Sequence, residues 1–203
     1  VDDDSYPVTN PSVCFYRAFN DVPQGHTFDK FIHALAGAQI TQGSGGNFQP
    51  SQNITRSTMA RWLLLARYGN TYAPPPCLSS PFADVDCENT PNADWIVDLY
   101  NKGITGGCGG GNYCPNDPVK RQQMAVFLLK AKAANPTTYA PPPCTGIFAD
   151  VPCPSTFANW IEELYNQGIT SGCGGGNFCP NNFVTRGQMA TFVVKNWNIP
   201  TCP

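Results

Sequence analysis

The chain of 203 residues is short of charge: 13% of its residues are Asp, Glu, Lys or Arg, its formal net charge is -2, and it has two histidines, His26 and His33. Without a basic patch or stripe, neither a nucleic-acid footprint nor a polybasic membrane-surface patch is expected, so nucleic acid is excluded as a partner. No apolar run is long enough to span a bilayer, so no membrane insertion is expected. No basic segment followed by an apolar one opens the chain, and Val1 to Asp4 reads as a mature N-terminus from which an export signal has been removed. Catalytic groupings are missing as well: one carboxylate recurs per repeat, with no second acid, no nucleophile and base, and no cluster of metal ligands beside it. The expectation is a protein that is not an enzyme and needs neither cofactor nor metal.

What the chain does have is cysteine, proline, glycine and repetition. Its ten cysteines fall outside zinc-site spacings, and we read them as disulfides, which places the protein outside the cytosol. Self-similarity then sets the organisation. Phe-Ala-Asp-Val at 148–151, a helical segment around Trp160, the Gly-rich stretch 168–180 and Val-Thr-Arg-Gly-Gln-Met-Ala at 184–190 recur at offsets of 65 to 67: Asp84 on Asp150, Trp95 on Trp160, Arg121 on Arg186, Met124 on Met189. A more divergent copy matches at 63 to 65, with Asp21 on Asp84, Ile40 on Ile104, Pro50 on Pro115 and Arg56 on Arg121. The expected division is an extended arm over 1–13, then repeats over 14–72, 73–138 and 139–203. Near-identical spacers, Tyr72 to Cys77 and Tyr139 to Cys144, each carry three consecutive prolines and are expected to be semi-rigid.

Each repeat predicts two helices. Phe157, Trp160, Ile161, Leu164 and Tyr165 share one helical face, matched by Trp95, Ile96, Leu99 and Tyr100 and by Phe28, Phe31, Ile32 and Leu35. Glycine is expected to close this helix at Gly168, Gly103 and Gly37. The second helix follows Pro180, Pro115 or Pro50. Thr185 and Gln188 have capping-box spacing and Thr55 can cap the first copy, whereas Lys120 cannot cap the second. This helix should bury Met59, Trp62 and Leu63, Met124, Phe127 and Leu128, and Met189, Phe192 and Val193. One helix pair cannot bury both its faces; three can, most simply by pooling one helix each into a central bundle.

The order Phe-x-Asp-Val, Trp, Gly-Ile-x-x-Gly, Gly-x-Phe-x-Pro, Val-Thr-Arg-x-Gln-Met-Ala, three times over, resembles the S-layer homology module, from about Phe19 to Trp197. The resemblance implies an all-α fold in which three helix-loop-helix repeats form a pseudo-threefold trimer around a three-helix bundle. It also implies clefts between repeats that hold a cell-envelope glycan, in Gram-positive bacteria a pyruvylated one. It places ligand-binding basic residues in the Thr-Arg segments, here Arg56, Arg121 and Arg186 beside Thr55 and Thr185. A helix N-terminus with free amides and an Arg fork would suit a carboxylate. The competing reading pairs each Arg with Asp21, Asp84 or Asp150 and only ties repeats together. Trp95 and Trp160 are candidates for stacking on sugar, though a Trp at that spacing is more often core. The chain departs from the family at Thr58, Gln123 and Gln188, where an acid is frequent, and in its cysteines.

Cys108 and Cys114, like Cys173 and Cys179, flank Gly-Gly-Gly-Asn-aromatic, and the first repeat replaces both with Ser44 and Gln49. Loss of both together predicts Cys108–Cys114 and Cys173–Cys179 bonds, and by the same logic Cys77–Cys87 and Cys144–Cys153. Cys14 and Cys202 are left, either joined within the chain or bonded to neighbouring molecules. The Gly-rich runs lack the lysine and preceding strand of a phosphate cradle. Asn53-Ile-Thr55 is a formal glycosylation sequon. Two functions follow: a secreted or cell-surface protein binding envelope polysaccharide, or a self-assembling subunit of a surface layer or fibre, copies of itself its partners, with the 1–13 arm docking into a neighbour. A secreted lectin-like adhesin is a third.

Overall fold

The computed structural model describes residues 19–201, so the 1–13 arm, Cys14 and Cys202 lie outside the described residues. Six helices make up its regular structure: α1 (Asp29–Gly37), α2 (Arg56–Tyr68), α3 (Ala93–Asn101), α4 (Arg121–Lys132), α5 (Ala158–Asn166) and α6 (Arg186–Asn196). Among the described residues there is no strand, only isolated bridges. All nine apolar positions expected on the second helices, from Met59 to Val193, are buried.

The short helices α1, α3 and α5 do not pack on the second helix of their own repeat. Instead α3 packs on α2, α5 on α4, and α1 on α6, while α2, α4 and α6 contact one another. The amphipathic pattern requires that each first helix find an apolar partner but leaves the partner's identity open. Each repeat therefore completes the core of the one before it, and the first completes the third.

The backbone follows the same order. Ile54 N–H donates to the Val184 carbonyl, Val184 N–H to Val119, and Val119 N–H to Ile54, at 2.9, 2.9 and 3.1 Å. These three amides belong to three different repeats, and their bonds form a closed circuit. Side chains at the circuit are apolar and buried: Ile54, Val119 and Val184 are at most 1% exposed.

Two local expectations need correction. Gly103 and Gly168 do adopt the left-handed conformation that ends α3 and α5, both at φ +71°, but in the first repeat Gly37 stays within α1 and Gln39 takes that role at φ +58°. Ile40 aligns with Ile104, so Gln39 is the register equivalent of Gly103. Tyr100 and Tyr165, placed on the buried helix face, are each 42% exposed; their rings stand edge-on against Phe82 and Phe148, at 5.3 and 5.4 Å. The four local disulfides are present as paired: Cys77–Cys87, Cys108–Cys114, Cys144–Cys153 and Cys173–Cys179.

Candidate functional site: the junctions between repeats

The Asp of each Phe-x-Asp-Val closes a loop in its own repeat. Asp21 accepts from the amides of Phe48 and Gln49 at 2.8 and 2.6 Å. Asp84 accepts from Tyr113 and Cys114 at 2.7 Å each, and Asp150 from Phe178 and Cys179 at 2.7 Å each. The second residue of each pair, Gln49, Cys114 or Cys179, has φ near +60°, a strained conformation that two charge-assisted hydrogen bonds help to hold. Glycine is needed where the same loop passes under the aromatic ring: a Cβ on Gly43, Gly107 or Gly172, all at positive φ, would overlap the carbonyl of Asn47, Asn112 or Asn177.

The clamped loop then receives the second helix of the preceding repeat. Arg56 Nε donates to the Tyr113 carbonyl at 2.7 Å, Arg121 Nε to Phe178 at 2.8 Å, and Arg186 Nε to Phe48 at 2.8 Å. Each guanidinium also lies between two rings of the next repeat. Arg56 sits 4.7 Å from the Tyr113 centroid and 5.2 Å from Phe127; Arg121 and Arg186 repeat this with Phe178 and Phe192, and with Phe48 and Trp62. Burial pulls all three arginine pKa values below the usual guanidinium value, opposed by nearby carboxylates that include Asp84, Asp150 and Asp21.

This geometry alters the expected roles. Among the described residues the ion pairs are His33–Asp29 and Lys102–Asp98, and none links these arginines to Asp21, Asp84 or Asp150. Arg and Asp instead act on the same loop, the Asp on its amides and the Arg on its carbonyl. The helix N-termini are not open anion sites either. Arg56 and Ser57 amides donate to Asp117 and Pro115 carbonyls, those of Arg121 and Gln122 to Asn182 and Pro180, and those of Arg186 and Gly187 to Gln52 and Pro50. Thr55 and Thr185 hydroxyls accept from Thr58 and Gln188 amides, so both threonines are spent as caps. In α4 only the return half of the box forms, Lys120 N–H donating to Gln123 Oε1, because an ammonium has no acceptor. Arg56 and Arg121 are 2% and 5% exposed, and Nη2 of each is buried without a hydrogen-bond partner. Arg186 is half-buried, the least enclosed of the three.

Trp95 and Trp160 are half-buried where α3 meets α2 and α5 meets α4. Each rests edge-on against the tyrosine that opens a spacer, Trp95 on Tyr72 at 6.1 Å and Trp160 on Tyr139 at 5.8 Å. Tyr72 Oη donates to Asp98 at 2.6 Å. Burial raises the pKa of both phenols, and the neighbouring Asp98 and Glu163 add to it. The role of these tyrosines was not read from the sequence, although both spacers begin with one. The spacers are also pinned by the amides of Cys77 and Cys144, which donate to Asp94 and Asn159. In the last repeat Glu162 gathers the Thr145, Gly146 and Ile147 amides and the Thr145 hydroxyl at 2.6 to 3.1 Å.

Two groups of residues approach metal-binding proximity, Cys144, Cys153 and Glu162, and Asp150, Cys173 and Cys179. Their sulfurs are joined in disulfides and so are not the thiolates that ligation needs.

A helix pair used three times, each copy locked into the next by an Asp-clamped loop and an arginine, defines a tandem-repeat module. The S-layer homology domain profile matches residues 18–60, 97–125 and 152–190, more than half of the chain, and the chain belongs to that family. It is 29% identical over 117 residues to a cell surface protein of Thermoanaerobacter kivui, covering 58% of this chain and 15% of that one. It is 26% identical over 187 residues to an uncharacterised cell wall amidase of Bacillus anthracis, covering 88% of this chain and 32% of the amidase. With the S-layer protein EA1 of the same organism it shares 26% identity over 191 residues, 92% of this chain and 21% of EA1. The chain therefore spans a third or less of the length of these relatives.

Proposed function

We propose that this chain is a non-catalytic cell-surface module that holds to cell-envelope polysaccharide, without covalent linkage, at the junctions between its repeats. What carries the reading is membership of the S-layer homology family in three matched segments, together with likeness to S-layer and wall-associated proteins along most of the chain. Four disulfides fit an extracellular setting, and no helix among the described residues is long and apolar enough to cross a membrane.

In this reading the repeats, divided near residues 72 and 138, form a pseudo-threefold trimer around α2, α4 and α6. The closed circuit of Ile54, Val119 and Val184 supports that arrangement. The glycan lies along the outer face of a junction, where Trp95 or Trp160 offers a ring and a carboxylate substituent such as a pyruvate ketal finds a cation. Arg56 and Arg121 then act chiefly by holding the junction together, while Arg186 also has a surface from which to meet ligand.

Co-sedimentation of the full chain with purified wall sacculi tests this. Saturable retention that disappears when the non-peptidoglycan polysaccharide is stripped is the expected result; equal retention on stripped sacculi overturns it. Likeness to S-layer proteins also favours a second reading, a self-assembling surface subunit with the 1–13 arm docking into a neighbour. Ordered polymers lost on deletion of residues 1–13 support it, and a monomer at high concentration rejects it.

A further inference from the structure

The first repeat carries an acceptor sequence that its copies lack. Asn53-Ile-Thr55 is the one Asn-x-Ser/Thr triplet of the chain with no proline at its centre, since Asn10 and Asn135 are each followed by proline. In register Asn53 corresponds to Pro118 and Phe183, and Thr55 to Lys120 and Thr185, so neither of the other repeats has both the amide and the hydroxyl.

The fold presents this asparagine outward. Ser51, Gln52 and Asn53 are exposed, and the Asn53 side chain forms no hydrogen bond with another described residue. The next residue, Ile54, is 1% exposed and donates to the Val184 carbonyl in the three-repeat circuit, so the backbone is held at Asn53 while its side chain is free. Asn53 is bridged to Thr185, and the diagonal neighbour across that bridge, about 7–8 Å away, is Phe183, which is 45% exposed. A sugar on Asn53 Nδ2 would displace no contact of the fold and would find an aromatic ring within reach. Thr55 is presented differently. As N-cap of α2, its hydroxyl accepts from the Thr58 amide at 3.2 Å and donates to Thr58 Oγ1 at 3.0 Å. A hydroxyl engaged as both donor and acceptor is withdrawn from an enzyme that must read it, whereas in the unfolded chain it is available.

We propose that Asn53 is a site of N-linked glycosylation and that the oligosaccharide is attached to the exported chain before α2 forms. The donor is an oligosaccharide carried on a lipid diphosphate. Asn53 Nδ2 displaces the diphosphate from the anomeric carbon: the C–N bond forms, the C–O bond to the diphosphate breaks, the diphosphate leaves with the bonding pair, and Nδ2 gives one proton to a base of the transferase. The triplet thus serves first as acceptor and afterwards as the entry to α2. Such a glycan is a covalent substituent of the chain and does not depend on what the junctions between repeats hold.

Mass spectrometry of the protein purified from its source organism tests the site on the tryptic peptide 31–56, which contains Asn53. That peptide should be heavier by one or more sugar residues, with the increment on Asn53. N53Q should abolish the increment. Thr55→Asp removes the hydroxyl but keeps an N-cap, so it should abolish the increment while circular dichroism shows the helices intact, and Thr55→Ser should retain both. An unmodified peptide in the native protein, or a sugar that survives N53Q or T55D, overturns the proposal. The order of events is read by offering the unmodified full chain to membranes of the source organism that carry the lipid-linked donor. The folded chain should be modified about tenfold or more slowly than the chain kept unfolded by reduction and alkylation of its cysteines. Equal modification of the two overturns attachment before folding.

Discussion

Replacing Asp84 with Asn perturbs the junction at its smallest working part. The two Asp84 oxygens accept the amides of Tyr113 and Cys114 at 2.7 Å each, and Asn can offer only one oxygen, turning its NH2 toward the other amide. A hydrogen bond to a charged group is worth about 1.5–3 kcal/mol, and the outer bond is exposed, so a loss of about 2 kcal/mol is expected. At a urea dependence of about 2 kcal/mol per molar for a chain of this size, the unfolding midpoint should fall by about 1 M with an unchanged slope. The same peptide unit that Asp84 holds by its N–H is held by Arg56 at its carbonyl, 2.7 Å away. D84N and R56K should therefore couple by about 0.5–1 kcal/mol in a double-mutant cycle. Asp21 clamps a loop with no disulfide across it, so D21N should cost more than D84N or D150N. Strict additivity of D84N and R56K, or a D84N midpoint within error of wild type, refutes the argument that clamp and arginine act on one loop.

Other changes read other parts of the structure. Gly187→Ala places a Cβ against the Phe28 ring at the α6–α1 junction, so it should destabilise by about 1–3 kcal/mol by urea titration, while Gln122→Ala, at the equivalent place in α4, should cost less. Burial alone would raise the Glu162 pKa, but the amides of Thr145, Ile147 and Gly146 outweigh it and hold the carboxyl below its usual range. Stability from Glu162 is therefore present above the usual Glu pKa and lost as pH falls through the lowered one. E162Q should be less stable than wild type at neutral pH, and the gap should close on the acid side. Tyr72→Phe should leave Asp98 with Lys102 alone and loosen the first spacer, seen as faster hydrogen exchange at the Cys77 amide.

Periodicity made the helices and their buried faces legible, because burial of Met59, Phe127 or Val193 depends only on helical spacing. Comparison of copies made Cys108–Cys114 and Cys173–Cys179 legible, because Ser44 and Gln49 show both partners missing at once. It could not show that α1 packs on α6 and not on α2, since the apolar faces are interchangeable between copies. The arginines were found as a repeated feature, yet their bond to a backbone carbonyl of the next repeat leaves no trace in residue identity, as any residue supplies a carbonyl. The aromatic at 48, 113 and 178 was the available signal: an invariant ring in a loop needs something to cover.

Everything proposed at the junctions depends on the repeats being locked to one another and not merely strung together. Hydrogen exchange at the amides of Ile54, Val119 and Val184 tests that most directly, since each donates to a carbonyl of a different repeat. The three should exchange slowly and with one common free energy, equal to that of global unfolding measured by urea. If one of them exchanges orders of magnitude faster than the others, the repeats open independently and the interlocked arrangement is wrong.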